Sequence, residues 1–293
     1  MAVHTIETIA VAAAADNIVL EAVNLALQKQ LAAFKLFGDE ELLTEMIQGH
    51  FPQLIGHPKI ELVHADGSAD AAEKAVQSVF VNESTVLMKG YIPTALFLKA
   101  VLHPDFGLRT GKLLSHVAAF EIPGFERLLF ITDAAMNIAP DLQHKKHIIQ
   151  NAVQLATSIG IDMPIVAPLA AIETINPNMP ATLDAAALAV MNKRGQIPGC
   201  VVDGPLALDN AISLGAAKHK GILGDSVGKA DILLVPNIES GNILYKSLIH
   251  FSNAKAGSVV MGAKAPIVLA SRADSAESRL LSLALAIQSS TIS

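Results

Sequence analysis

The chain has 293 residues, long enough for two domains or one large α/β unit with a well-buried core. It is 52% hydrophobic but only 16% charged, a balance that predicts surface buried between subunits and hence a homodimer or higher homo-oligomer. A net charge of −6 with no basic tract excludes the electrostatic footprint of a nucleic-acid binder, and charges such as Asp16, Glu21, Lys89 and Lys99 interrupt each apolar run before it reaches membrane-spanning length.

Residues 7–14, ETIAVAAA, read as the first strand, and Asp16 caps a helix over 17–30. KIELVHAD (59–66), a helix over 69–79 and TVLMKG (85–90) repeat the strand–helix–strand unit, and Pro93 opens a further helix. KLLSHVAAFEI (112–122) and RLLFITDAA (127–135) are separated only by PGFE, so they read as a hairpin that marks a domain edge or an antiparallel extension. A second series follows: a helix over 143–158, strand IVAPLA (165–170), a helix over 181–192, strands GCVVDG (199–204) and ADILLVPN (230–237), and a helix over 241–250. GSVVMG (257–262), strand PIVLAS (266–271) and a C-terminal helix close the chain. Short β-branched runs alternating with amphipathic segments define an α/β protein built on parallel sheet.

Parallel sheets gather ligands at the carboxyl ends of their strands. That rule selects Lys89 and Gly90, Ser115 and His116, the stretch from Asp133 to Asn137, Asp203, Asn237, and Ser271 with Arg272. In PIVLASRADSAESRL (266–280) a strand runs through Ser271 and Arg272 directly into a helix, so free backbone N–H groups, the helix dipole and a guanidinium converge as an anion site. Asp274 with Glu277 reads as a capping box for that helix. PNIESGN (236–242) adds Ser240, Gly241 and Asn242 in a loop before a helix carrying Lys246, a set of donors suited to phosphate or the polar parts of a cofactor.

Other chemistries are excluded by pattern. GDSVGKA (224–230) lacks the spacing and the hydroxyl residue of a P-loop, and neither a Gly-x-Gly-x-x-Gly nor a Gly-x-Ser-x-Gly motif is present. His144 and His147 stand at i, i+3 but flank Lys145 and Lys146 on a face that reads as solvated, so no metal site is expected. Cys200, the single cysteine, sits in an apolar run as a small hydrophobe and fits a reducing, cytoplasmic location. No Lys or Arg precedes Lys29, so the positive region of a secretory signal is missing.

Three segments taken together, VDGPLALDNA (202–211), GKADILLVPNIESGNILYKSL (228–248) and APIVLASRADSAESRL (265–280), resemble the phosphate acetyl/butyryltransferase family. FITDAAMNIAPDL (130–142) and MKG (88–90) extend the resemblance over nearly the whole chain, and RTGKLLSHV (109–117) with RADS (272–275) resembles the butyryltransferase branch. The resemblance implies the fold of isocitrate and isopropylmalate dehydrogenases: two α/β/α domains, 1–138 completed by 264–293, and 139–263, with the site in the cleft between them. It also implies a reversible reaction, butanoyl-CoA + phosphate = butanoyl phosphate + CoA. Coenzyme A is then a substrate, no cofactor is bound permanently, and the product couples the protein functionally to a butyrate kinase. Ser271 and Arg272 match the family's Ser-Arg pair at the reacting centre. Ser278 stands where acetyltransferases place an aspartate as base, which leaves Asp274 or Glu277 for that role. The alternatives at this stage are a phosphate acetyltransferase, a nicotinamide-dependent hydroxyacid dehydrogenase on the same fold, and a noncatalytic sensor of CoA or phosphate.

Overall fold

The computed structural model describes residues 7–270 and 274–290, and these form mixed α/β structure in two compact units: residues 1–112 with 257–293, and residues 113–256. Ser271 and Arg272 lie outside the described residues.

The first unit opens with strand β1 (Thr8–Ala12) and helix α1 (Asn17–Gln28), then β2 (Ala33–Gly38), α2 (Glu40–His50), β3 (Ile60–His64), α3 (Gly67–Phe80), β4 (Val86–Lys89) and α4 (Thr94–Val101). Ile9 to Ala12 are fully buried, as expected for a central parallel strand covered on both faces. β1 pairs with β2 and β4, and β2 with β3, all parallel. The Asp16 carboxylate accepts the Val19 N–H at 3.0 Å, so the anticipated cap of α1 is present. β2 and α2 are additions to the elements read from sequence. Their signals are modest: buried Phe34 and Leu36 alternate with half-buried Ala33 and Lys35, and Asp39 caps α2 through the Glu41 and Leu42 N–H groups.

The second unit contains β5 (Ser115–Glu121), β6 (Leu129–Thr132), α5 (Leu142–Ser158), β7 (Ile165–Pro168), α6 (Pro180–Lys193), β8 (Val201–Val202), α7 (Leu208–Ile212), α8 (Leu214–His219), β9 (Ile232–Leu234) and α9 (Ile238–Ser252). β5 and β6 form the expected antiparallel hairpin, with Val117 opposite Thr132 and Phe120 opposite Leu129. β6 pairs parallel with β9, β9 with β7, and β7 with β8. Phe120, Ile131, Leu169, Leu233 and Val235 belong to one buried cluster of this unit.

The chain then returns to the first unit. β10 (Lys255–Met261) pairs antiparallel with β11 (Ile267–Val268), β11 pairs parallel with β4, and α10 (Ala276–Ser290) packs on α1. The boundaries therefore fall at 112 and 257, where the sequence reading places them at 138 and 264. The cause is pairing: β6 sets Ile131 beside Leu233 of β9, which ties the hairpin to the second unit, while Val260 pairs with Ile267 in the first.

Cys200 is buried, and burial pushes its thiol up to about 11. Its thiolate is then scarce at neutral pH and grows only as pH approaches that value. Thiol-reactive reagents are expected to leave the native protein unlabelled at pH 7.5 and to label it fully in denaturant; rapid labelling of the folded protein at neutral pH would overturn this.

Candidate functional site

The site residues fall on both units. In the first, Lys89 ends β4 with only 4% of its surface exposed, and its Nζ donates to the Gly90 carbonyl at 3.2 Å. The Gly90 N–H donates to the Ala12 carbonyl at 2.8 Å, and a Cβ on Gly90 would stand 2.2 Å from the Ala13 oxygen. Gly90 is thus required by the close passage of β4 past the end of β1, whatever else it does.

The expected Asp274 cap is displaced by one residue. α10 begins at Ala276, and the Ser275 hydroxyl accepts the Ser278 N–H at 3.2 Å, so Ser275 is the capping residue and Ser278, not Glu277, occupies the third helical position. Asp274 stands one residue ahead of the cap. Its carbonyl accepts the Nε–H of Arg279 at 3.5 Å, and Arg279 is 4% exposed in the first turn of α10. Burial lowers the pKa of that guanidinium, against the opposing pull of the Asp16 and Asp274 carboxylates. Arg279 is absent from the residues picked out by sequence, although a basic side chain on the buried face of a helix is itself a signal.

In the second unit the loop after β6 is organised by Asp133, which is 2% exposed. One carboxylate oxygen accepts the N–H groups of Ala135 and Met136, both at 2.9 Å, and the other accepts the Asn137 amide at 2.6 Å. Asn137 also donates to the Leu114 carbonyl at 2.9 Å, so its amide is committed to holding this loop. Ser115 is fully buried, and its hydroxyl accepts the Asn151 amide at 2.8 Å; it braces β5 against α5. His116 is 6% exposed, its ring centroid 6.0 Å from that of Tyr245.

The PNIESGN segment is not a loop. α9 starts at Ile238, three residues earlier than expected, because the Asn237 side chain accepts the Ser240 N–H at 3.0 Å and supplies the cap. Ser240, Gly241 and Asn242 consequently lie in the first turns of the helix. An added Cβ on Gly241 would stand 2.8 Å from the Asp133 carbonyl oxygen, and the Asn242 amide lies 3.5 Å from the Ala134 carbonyl, so α9 is seated directly on the Asp133 loop. The structure therefore gathers Ser115, His116, Asn137, Gly241 and Asn242 around one loop. The Ser226 hydroxyl donates to the Asp203 carboxylate, and Lys246 is exposed on α9 with no hydrogen bond or ion pair among the described residues.

A cavity of about 760 Å³ opens at the carboxyl ends of β7 and β9, within the second unit. Leu169, Ala170, Met179, Pro180, Pro236 and Leu244 supply much of its wall, and Asn237 and Ser240 are the two anticipated residues that reach it. Its charged groups are Lys145 and Asp184, whose Nζ and Oδ2 lie 2.6 Å apart, with the lysine side chain only 7% exposed. By sequence the face carrying Lys145 reads as solvated. Instead Lys145 shares the buried face of α5 with Ile148, Ile149 and Ala152, at the i+3, i+4 and i+7 spacing that could have revealed it. Among the described residues no group of three or more His, Cys, Asp or Glu side chains could hold a metal ion, and His144 pairs instead with Asp141 at 3.1 Å. No described helix is long and apolar enough to cross a membrane.

These strand-end clusters on a two-unit α/β frame carry a family signature: the profile of the phosphate acetyl/butaryl transferase family matches residues 40–287, and the chain belongs to that family. It is 55% identical over 288 residues to a protein named "Probable phosphate butyryltransferase" from Bacillus subtilis, covering 97% of this chain and 94% of that one. It is 49% identical over 278 residues to the phosphate butyryltransferase of Clostridium acetobutylicum, covering 95% and 91%. Among solved structures, the branched-chain phosphotransacylase from Enterococcus faecalis V583 superimposes with a TM-score of 0.86 at 36% identity, covering 97% of this chain and 99% of that one.

Proposed function

We propose that the protein is a phosphate butyryltransferase, catalysing butanoyl-CoA + phosphate = butanoyl phosphate + CoA. The observation that carries this reading is the near full-length identity, 55% and 49%, to proteins of that name. In the forward direction a phosphate oxygen attacks the thioester carbonyl, the C–O bond forms, the C–S bond breaks, and the thiolate leaves. Arg272 holds the phosphate as a permanently charged, bidentate partner, with Lys89 as a second cation. Ser271 donates to the oxyanion that develops on the carbonyl, an interaction worth about 3–4 kcal/mol in comparable sites. In the reverse direction Asp274, one residue ahead of the helix cap, is the base that takes the CoA thiol proton. Asn237, Ser240 and Lys246 are assigned to CoA or phosphate binding, while Ser115, Asn137 and Gly241 support the loop and helix on which such contacts rest.

Coenzyme A enters and leaves as a substrate, the protein works in the cytoplasm as a homo-oligomer, and a kinase that consumes butanoyl phosphate uses its product. Release of free thiol from a panel of acyl-CoAs, with and without phosphate, tests the central reading. Phosphate-dependent release that is faster with butanoyl-CoA than with acetyl-CoA is expected. Preference for acetyl-CoA would make the protein a phosphate acetyltransferase, and release independent of phosphate would refute the reading altogether.

A further inference from the structure

We infer that Arg279 is a positioning residue for the acyl transfer: from the first turn of α10 it ties Asp274, two residues beyond Arg272 in the chain, to the loop that follows β1; this rests on the transferase reading above. The first observation is where its partners stand. In the first unit β4 lies between β1 and β11, and both pairings are parallel, so the three carboxyl ends share one edge of the sheet. Asp16 follows β1, Lys89 ends β4, and Asp274 follows β11. The Nε–H of Arg279 donates to the Asp274 carbonyl at 3.5 Å, and the carboxylates of Asp16 and Asp274 both act on its charge. Two strand spacings, about 10 Å, separate β1 from β11. A long side chain with several donors in a fixed fork suits such a gap.

The second observation is that packing gives no reason for a charge at this position. α10 packs on α1, and their buried faces hold Leu280, Leu283 and Ala286 on the one and Leu20, Val23 and Ala26 on the other. Arg279 is 4% exposed on that same face of α10, where a well-packed apolar side chain would serve stability as well. What the guanidinium adds is a hold on the Asp274 backbone. The third observation is how little else holds that backbone from the helix side. The cap of α10 is an exposed hydrogen bond, from the Ser278 N–H to the Ser275 hydroxyl at 3.2 Å, and water competes for both groups. Acyl transfer is sensitive to such looseness, since a misplacement of about 1 Å far from the chemistry can cost about 10²-fold in rate.

Steady-state kinetics and amide hydrogen exchange on full-length variants test this. Arg279→Met keeps a long unbranched side chain and removes the donors; it is expected to lower kcat about tenfold or more and to leave KM for butanoyl-CoA within about twofold of wild type. In an Arg272→Ala background the same substitution should change kcat less than about threefold, because a residue that acts through another adds little once that other is gone. Arg279→Lys restores a charge and a donor and should recover most of the loss. Asp16→Asn keeps a capping residue on α1 while removing one of the facing carboxylates. It should also lower kcat, so a folding defect in Arg279→Met does not decide the matter. Amides of residues 274–278 should exchange faster in Arg279→Met and at the wild-type rate in Arg279→Lys. A lower Tm with unchanged kcat would make Arg279 a brace of the fold alone and overturn the proposal. Loss of kcat fully additive with that of Arg272→Ala would overturn it as well. Wild-type protein that releases no thiol in response to phosphate would refute the transferase reading, and exchange then decides by itself: faster exchange over 274–278 in Arg279→Met leaves the tether standing, and unchanged exchange overturns it.

Discussion

Arg272→Ala is expected to lower kcat/KM for phosphate-dependent release of CoA by about 10²- to 10³-fold or more and to leave the folded structure unchanged. The reaction must hold inorganic phosphate beside a substrate that already carries a diphosphate, and like charges brought together raise the barrier unless cations offset them. Lys89 offers one such charge, but it is 4% exposed and already directed at the Gly90 carbonyl. Arg272 offers a second, with two parallel N–H donors that also fix the phosphate's orientation. Arg272→Lys keeps the charge and loses the fork, so it should recover part of the activity, chiefly in KM for phosphate. Steady-state kinetics on purified variants, with circular dichroism to confirm folding, check both outcomes. Near-normal turnover by Arg272→Ala would remove this residue from the reacting centre.

The second large effect concerns stability. At Gly90 an added methyl would lie 2.2 Å from the Ala13 oxygen and 2.5 Å from the Ala12 oxygen, both backbone atoms at the end of a strand paired on each side. Backbone so placed cannot yield as a side chain does, so Gly90→Ala is expected to cost at least the ~3 kcal/mol at the upper end of ordinary overpacking. For a chain of this size that corresponds to a fall in Tm of about 6–12 °C. A methyl added at Gly49, inside α2, would meet nothing within 4 Å, and Gly49→Ala should raise stability by roughly 0.5–1 kcal/mol. Differential scanning calorimetry of the two variants gives the test. A Gly90→Ala protein that melts normally but binds phosphate or CoA poorly would make Gly90 a contact residue rather than a structural one.

Local pattern carries much of the fold and less of the site. The cap at Asp16, the hairpin of β5 and β6, and the alternation of strands with helices all follow from residues within one or two turns of each other. β8 and β11 keep only two residues each, shorter than the apolar runs GCVVDG and PIVLAS from which those strands are read. The site depends on partners far along the chain. Lys145 next to Lys146 reads as solvated until Asp184, 39 residues later, is brought to it. Asn137 reads as a free amide until Leu114 and Asp133 claim it. Ser275 and Asp274 are both good capping residues, and the one-residue difference between them is settled by where α10 begins.

The division of the chain also fixes an order of assembly during synthesis. Every residue of the second unit leaves the ribosome before β11, the strand that covers the open side of β4, and before α10, the helix that covers α1. At residue 256 the first unit still presents unpaired β4 amides and an uncovered apolar helix face. The portion made first is therefore finished last, and its exposed edge must survive the making of some 144 intervening residues, 113–256, without finding a wrong partner.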